Sequence, residues 1–480
     1  MATLSYDDAA HLLRRAGFGG NPDQINALTT RDRDGAADFL INYQQIDNSS
    51  LDNLLSSSFD LTDPSDNQKF NQAEIRRWWF TRIILTNRQF EEKMTLFWHN
   101  HFATSLSKVQ DFYMFNQNKL LRDNALARFD DLLLKVAQDP AMLIWLDNVT
   151  NVLGHPNENF GRELQELFSM GITDVVTGAA NYSEDDVKQI ARAFTGWNFR
   201  RTPAGGPLDF QFQLRPNQHD NGAKTIYAGT PWQTSGQLDG GDVITVICNR
   251  PATARYLTWK LFNFFVYPVT TSSTDKSTID RFAQTYLSNN HSIKELMRAI
   301  LTSDEFYSDR ARFSLVKQPV EFIAGAIRML GAVYNPGAIG RTSNAPANFS
   351  RNQGQDIFFP PDVAGWDLNL GWINTATMLE RYNYTNTLVN GRSTTTPGIS
   401  LSLDQLKLYT KSSTKKTIKK FFEVLGPLSP GSGVRKKLQT YLTTADNGQP
   451  VDFTPDDATI DKKVRGLAHQ VMCLPEFELN

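Results

Sequence analysis

Two adjacent stripes of large side chains constrain this chain most. Ile75, Trp78, Trp79 and Ile83 recur at helical spacing, and Phe90, Met94, Phe97 and Trp98 do so again after Asn87. Residues three and four apart share a helix face, so each stripe predicts an amphipathic helix with an aromatic-rich buried side. Near the N-terminus Ser5 reads as an N-cap with Asp7 and Asp8 in the first turn, and Gly17 as the stop. The same periodicity predicts helices over about 110–147, 157–170, 184–197, 252–266, 278–288, 292–302, 317–331 and 374–389, and through the tail at 402–474. One region breaks the period. Leu208, Phe210, Phe212 and Leu214 alternate, and Asn221-Gly222, Thr225 and Tyr227 follow. Alternation leading to Asn-Gly predicts a small β-hairpin near 207–228. The expected fold is mainly α: a large multi-helix domain over 1–400 with that hairpin inserted, and a C-terminal helical segment, 401–480, packed on it.

Hydrophobic residues make up 40% of the 480, enough to bury a sizeable core. The charges nearly cancel at −2, which excludes a global electrostatic footprint for nucleic acid. Only the C-terminal part is locally basic, through Lys411, Lys415, Lys416, Lys419, Lys420, Arg435, Lys436 and Lys437, and it reads as a solvated helical face. Cys248 and Cys473 are far apart and lack metal-ligand spacing, so free thiols are expected. The first residues show no basic and apolar signal-peptide pattern. No stretch approaches the roughly 18 apolar residues of a membrane span. The P-loop, the dinucleotide fingerprint, the His-Glu-x-x-His pair and the Gly-x-Ser-x-Gly elbow are all missing, which removes the common nucleotide, zincin and serine-hydrolase readings.

Several stretches could carry chemistry. His99 and His101 suggest a metal pair, but at about 100° per residue His101 falls on the Phe90, Met94, Phe97 stripe and His99 on the opposite side, so both reach one ion only if the helix ends or bends. In the segment Asn157 to Gly171, Phe160, Leu164, Leu167 and Phe168 share the apolar face, and Asn159, Glu163 and Glu166 form the neighbouring stripe. Glu158 and Arg162 make an i,i+4 pair on the far side. Two carboxyls at the edge of an apolar stripe can be partly buried, which raises their pKa and suits acid–base work. An ordinary solvated face explains the same residues. Ser183 and Asp186 form a capping box, and Arg192 on that helix can pair with a carboxylate. His219, Asp220 and Lys224 crowd the hairpin tip, and turn formation does not demand the histidine or the lysine. Asp362 and Trp366 lie in a Gly/Pro loop whose composition suits sugar recognition, although a loop tryptophan also simply plugs a helix end.

These runs, in this order, resemble the bacterial family labelled domain of unknown function 1800. The similarity is carried by Ala10 to Gly19, Phe97 to Ser105, Asp139 to Leu143, His155 to Gly171, Tyr182 to Trp197, His219 to Thr225, Pro251 to Val266, Val316 to Glu321, Pro360 to Trp366 and Pro475 to Phe477. The family's name assigns no activity. Its members commonly look exported and often neighbour a sulfatase-like family, so the resemblance implies an envelope or extracellular setting and such a neighbour as a partner. It also makes His99, His101, Asn157, Glu158, Asn159, Arg162, Glu163 and Glu166 signature positions. The expectation is a hydrolase acting on a glycan or cell-envelope polymer, without a metal or other cofactor. Glu163 or Glu166 would be the acid or base, with His219, Asp220 or Asp362 as second polar partner. His101, Asn157, Asn159, Arg162, Trp197, Lys224 and Trp366 would hold substrate. Two rivals stand beside it: a non-catalytic binding or assembly protein, and a metal-dependent hydrolase using His99, His101 and His219.

Overall fold

The computed structural model describes residues 2–201, 209–339, 345–391 and 398–480. It is mainly helical with three small two-stranded antiparallel sheets among the described residues. The helices that position the regions discussed below are α1 (Tyr6–Arg15), α2 (Gln72–Leu85), α3 (Gln89–His101), α4 (Asp111–Asp123), α5 (Phe129–Ala137), α6 (Pro140–Trp145), α7 (Asn159–Glu166), α8 (Glu184–Ala193), α9 (Pro251–Phe265), α10 (Pro319–Leu330), α11 (Thr414–Val424) and α12 (Ser432–Leu442). No described helix is long and apolar enough to cross a membrane. Both cysteines are free.

The helix expected over 110–147 is three helices, for local reasons. The chain turns after Asp123, and Pro140 forbids continuation past Asp139 because it has no N–H and clashes with the preceding turn. Pro140 instead takes the first position of α6, and Asp139 caps that helix by accepting the Met142 N–H at 3.3 Å. Likewise α8 ends at Ala193, and Gly196, at φ 74°, turns the chain into β1 (Trp197–Arg201).

The alternating run is a strand, β2 (Phe210–Leu214), but its partner differs from the one its turn signal indicates. β2 pairs with β1, setting Trp197 opposite Leu214 and Phe199 opposite Phe212. Leu208 lies outside the described residues. Pro216, which has no N–H to give a ladder, opens a short 3-10 turn and ends β2. Asn221-Gly222 closes a local turn in which Asp220 accepts the Gly222 N–H at 2.8 Å. The next strand, β3 (Lys224–Ile226), pairs forward with β4 (Thr234–Gly236).

The centre of the molecule is α3. Every residue of it except Asn100 is buried, including Gln89, Glu91, Glu92, Lys93, His99 and His101. Its apolar side, Phe90, Met94, Phe97 and Trp98, joins a core built from α1, α5, α9 and their neighbours, while Leu96 faces a second core formed by α2, α10 and the C-terminal helices. The residues of 401–480 bury their apolar side chains in this second core, among residues of 51–115 and 320–389. A buried charge is tolerated only when paired. Glu92 Oε1 accepts from Arg82 Nε at 3.0 Å and Arg122 Nε at 2.6 Å, and its Oε2 accepts from Arg122 Nη2 at 2.9 Å and Trp79 Nε1 at 2.9 Å. α2, α3 and α4 therefore meet on one carboxylate. Lys93 pairs with Glu321 of α10 and donates to the Gly17 carbonyl at 3.1 Å.

Burial alone would raise the Glu92 pKa, but Arg122 and Arg82 outweigh it and hold the carboxyl at about 2. A carboxyl depressed in the folded state contributes stability above its unfolded pKa and loses it as pH falls toward that folded value. Glu92→Gln leaves Arg122 without its counter-ion and Arg82 with only Asp52, at 3.5 Å. Urea unfolding at pH 7 is expected to report a loss of about 3–5 kcal/mol. A loss below about 1 kcal/mol, the range of an exposed pair, would show that the three helices do not depend on this carboxylate.

Candidate functional site

The segment Asn157–Gly171 is held by its own contacts and by residues of the neighbouring elements. Asn157 accepts the Asn159 N–H at 3.0 Å and so starts α7, and its own N–H donates to Asn151 Oδ1 at 2.9 Å. Asn159 is exposed in the first turn. Arg162 bridges Glu158 at 3.3 Å and, with both terminal nitrogens at 2.8 Å, Glu184 of α8. Phe160, Leu164 and Phe168 enter the core, and Gln165 accepts from the Tyr227 hydroxyl at 3.1 Å. On the flank, Glu166 accepts from the Tyr182 hydroxyl at 3.0 Å. Glu163 is half-buried, and its pKa is raised by burial and by the neighbouring Glu166, against a smaller opposing effect of Arg162.

The two histidines turn to opposite sides of α3. His101 Nε2–H donates to the Phe168 carbonyl at 3.0 Å, tying α3 to the end of α7. His99 Nε2 accepts the Phe358 N–H at 3.0 Å and packs edge-on against Trp79. Both are buried, so His99, on the side opposite the aromatic stripe, is a core histidine as well. Burial pushes the His99 pKa down to about 3 and lowers that of His101 well below the usual range, so both are neutral rings. Between them, Asn100 accepts the Trp366 N–H at 2.7 Å and donates to the Trp366 carbonyl at 3.3 Å. That clamp seats the Trp366 ring 5.6 Å from His99. Asp362 is exposed and accepts the Ala364 N–H at 2.8 Å in its own loop turn.

His219, Asp220 and Lys224 do come together, as a closed turn. His219 Nδ1–H donates to the Thr195 carbonyl at 2.8 Å. Asp220 pairs with Arg192 Nε at 2.7 Å, which lowers its pKa despite partial burial. Lys224 Nζ donates to the carbonyls of Asp220 at 2.5 Å and Gly222 at 3.1 Å. Trp197 packs between Phe194 and Phe212, each at 4.8 Å. Among the described residues, no three His, Cys, Asp or Glu side chains converge as a metal set.

A cleft of about 470 Å³ opens elsewhere, between the outer side of α4, the α5–α6 junction and the hairpin. One wall is aromatic. Phe210 of β2 stacks on Phe112 at 5.7 Å and meets Tyr113 at 4.8 Å, and Phe199 of β1 meets Tyr113 at 5.4 Å. These rings and Phe212 are only half-buried. The polar lining includes Asn116, Asn124 and Gln138 with the carboxyls of Asp123, Asp139 and Asp209. A second cleft of about 630 Å³ adjoins it across Lys119 and Asp123 and runs over Trp78, Arg82 and Arg122. Asp139 is the buried carboxyl of the set, at 5% exposure. Besides capping α6, its Oδ2 accepts from Gln117 Nε2 at 2.8 Å. Burial pushes its pKa up to about 7 against these hydrogen bonds. A buried carboxyl near neutrality in a cleft with exposed carboxylates is an acid–base arrangement. In the sequence, Asp139-Pro140 stands out only within the resemblance, and Phe210 and Phe212 only as a strand pattern. Their meeting with α4 has no local signature.

The chain matches the family described as protein of unknown function (DUF1800) over residues 11–479. Neither the curated proteins nor the solved structures yield a match.

A carboxyl raised by folding favours the folded state below its unfolded pKa and loses that contribution as pH rises through the folded value. For Asp139 the window runs from its ordinary 3.8 up to about 7. Asp139→Asn keeps the cap and cannot ionise. Stability measured by urea at pH 5 and pH 8 is therefore expected to fall less in the variant, by up to about 3 kcal/mol at roughly 1.4 kcal/mol per pKa unit. Identical pH slopes in the two proteins would contradict a raised Asp139.

Proposed function

We propose a function for this chain, which belongs to the DUF1800 family: it binds a glycan in the cleft beside α4 and hydrolyses it by carboxylate acid–base chemistry. The observation that carries the reading is the pairing of an open aromatic wall, Tyr113, Phe210 and Phe212, with a buried carboxyl, Asp139, in one cleft. A sugar ring offers apolar C–H faces and hydroxyl edges. Aromatic faces flanked by amides and carboxyls complement both. In the proposed step, protonated Asp139 gives its proton to the glycosidic oxygen as the bond to the anomeric carbon breaks. Water adds to that carbon, and Asp123 or Asp209 takes the proton water loses. The adjoining cleft over Trp78 gives a polymer room to extend.

A second reading keeps the chemistry on α7. It is favoured by the half-buried Glu163 carboxyl, raised by burial and by Glu166. The closed networks of Arg162 with Glu184 and of Arg192 with Asp220 favour a structural role for those four residues.

Product release from soluble polysaccharides separates these readings. Asp139→Asn is expected to lower turnover by about 10²–10⁴-fold, the usual contribution of a general acid, and to leave binding largely intact. Phe210→Ala is expected to weaken binding by about 1–3 kcal/mol, in the range of a buried ring face lost. Turnover lost in Glu163→Gln but kept in Asp139→Asn would move the chemistry to α7. Full activity in both variants would remove carboxylate catalysis from both places.

A further inference from the structure

The basic residues near the C-terminus form one surface. α11 and α12 pack on each other and turn Ile418, Phe421, Phe422, Leu438 and Leu442 into the second core. Their other side carries Lys415, Lys416, Lys419, Arg435, Lys436 and Lys437, with Lys411 just before α11, and all seven are exposed. Among the described residues none of the seven forms an ion pair, whereas Lys420 is paired with Glu423 at 2.8 Å. From 411 to 437 the chain holds eight cations and one acid, a local charge of +7. The net charge of the whole chain is −2, so the remainder carries −9. The cations of this segment are thus a local excess against an acidic remainder.

Helix stability does not account for these positions. The N-terminal end of a helix is the positive end of its dipole, so cations there are disfavoured and acids favoured. α1, α5 and α8 follow that rule with acids in their first turns. α11 and α12 have none, and α11 begins Thr414-Lys415-Lys416. Lys415 and Lys416 are unpaired like charges at the positive end of α11, which an external anion relieves.

We propose that this face adsorbs the protein to an anionic lipid surface. The apolar sides of both helices are committed to the core, so contact is electrostatic and peripheral, without insertion of either helix. Six of the seven exposed cations are lysine, a point charge suited to a phosphate-bearing surface. Base-edge and backbone recognition in nucleic acid relies more on the forked arginine group. No exposed aromatic residue lies on α11 or α12 for base stacking. Leu408, 61% exposed, stands beside Lys411, whose Nζ donates to its carbonyl at 2.9 Å, and adds an apolar contact at the edge of the face. Asp7 and Glu423 line the small hollow next to Lys419 and Arg435, which bounds the face on that side.

Sedimentation with vesicles tests this, independently of any glycan chemistry. The full chain is expected to bind vesicles of one part phosphatidylserine to two of phosphatidylcholine and not vesicles of phosphatidylcholine alone. Binding is expected to fade as salt shortens the screening length. The triple variant Lys415→Glu, Lys416→Glu, Lys419→Glu is expected to bind roughly a hundredfold more weakly, given the usual contribution of a lysine near such a surface. The pair Lys436→Gln, Lys437→Gln is expected to bind roughly thirtyfold more weakly, and it reports on the same face should the triple variant unfold. Equal binding to neutral vesicles, unchanged binding in the folded variants, or tighter retention on duplex DNA than on the anionic vesicles at the same salt would overturn the proposal.

Discussion

The Glu92 carboxylate, met from two sides by Arg82 and Arg122, is the interaction on which the rest of the molecule depends. A helix buried all round normally avoids polar residues. α3 carries many, and most of them are held by other parts of the chain. Gln89 accepts the Phe18 N–H at 2.9 Å, Lys93 reaches Glu321, and His99, Asn100 and His101 hold Phe358, Trp366 and Phe168. Any slip of a neighbour would strand a polar group away from water, at the full penalty of its lost hydration. The helix acts as a template for register as much as an apolar core.

That template also aims α4. Arg122 points inward to Glu92, so the opposite side of the same helix presents Tyr113, Asn116 and Asp123 to the cleft. The hairpin then supplies Phe210 and Phe212, and the α5–α6 break supplies Asp139. One wall is thus fixed by the buried ion pair, one by strand pairing and one by a proline-imposed helix start. The cleft and the basic face of α11 and α12 are built from different elements.

The sequence exposes much of this where the cause is local. The stripes of α2 and α3, the cap at Ser5, the Ser183–Asp186 capping box and the Glu158–Arg162 pair follow from residues within a turn or two of each other. The structure bears them out. The strand at Phe210 to Leu214 is visible as alternation, but its pairing is not. Asn221-Gly222 outweighs, in a local reading, the competition from β1. Helical angle alone places His99 on the side opposite the aromatic stripe. A second core on that side, with Trp79 and Phe358, buries it. The cleft joins α4, residues 138–140 and residues 209–212, which no periodicity links. Glu163 and Glu166 drew attention because paired carboxyls on one helix flank are visible at short range, whereas a lone buried carboxyl such as Asp139 is not.

The most direct measurement is hydrogen–deuterium exchange of the full chain with and without soluble oligosaccharides. Binding in the cleft predicts slower exchange confined to α4, residues 138–140 and the β1–β2 hairpin, with α7 and the loop around Trp366 unchanged. Protection of α7 instead, or no protection with any oligosaccharide, would contradict a glycan site built on the outer side of α4.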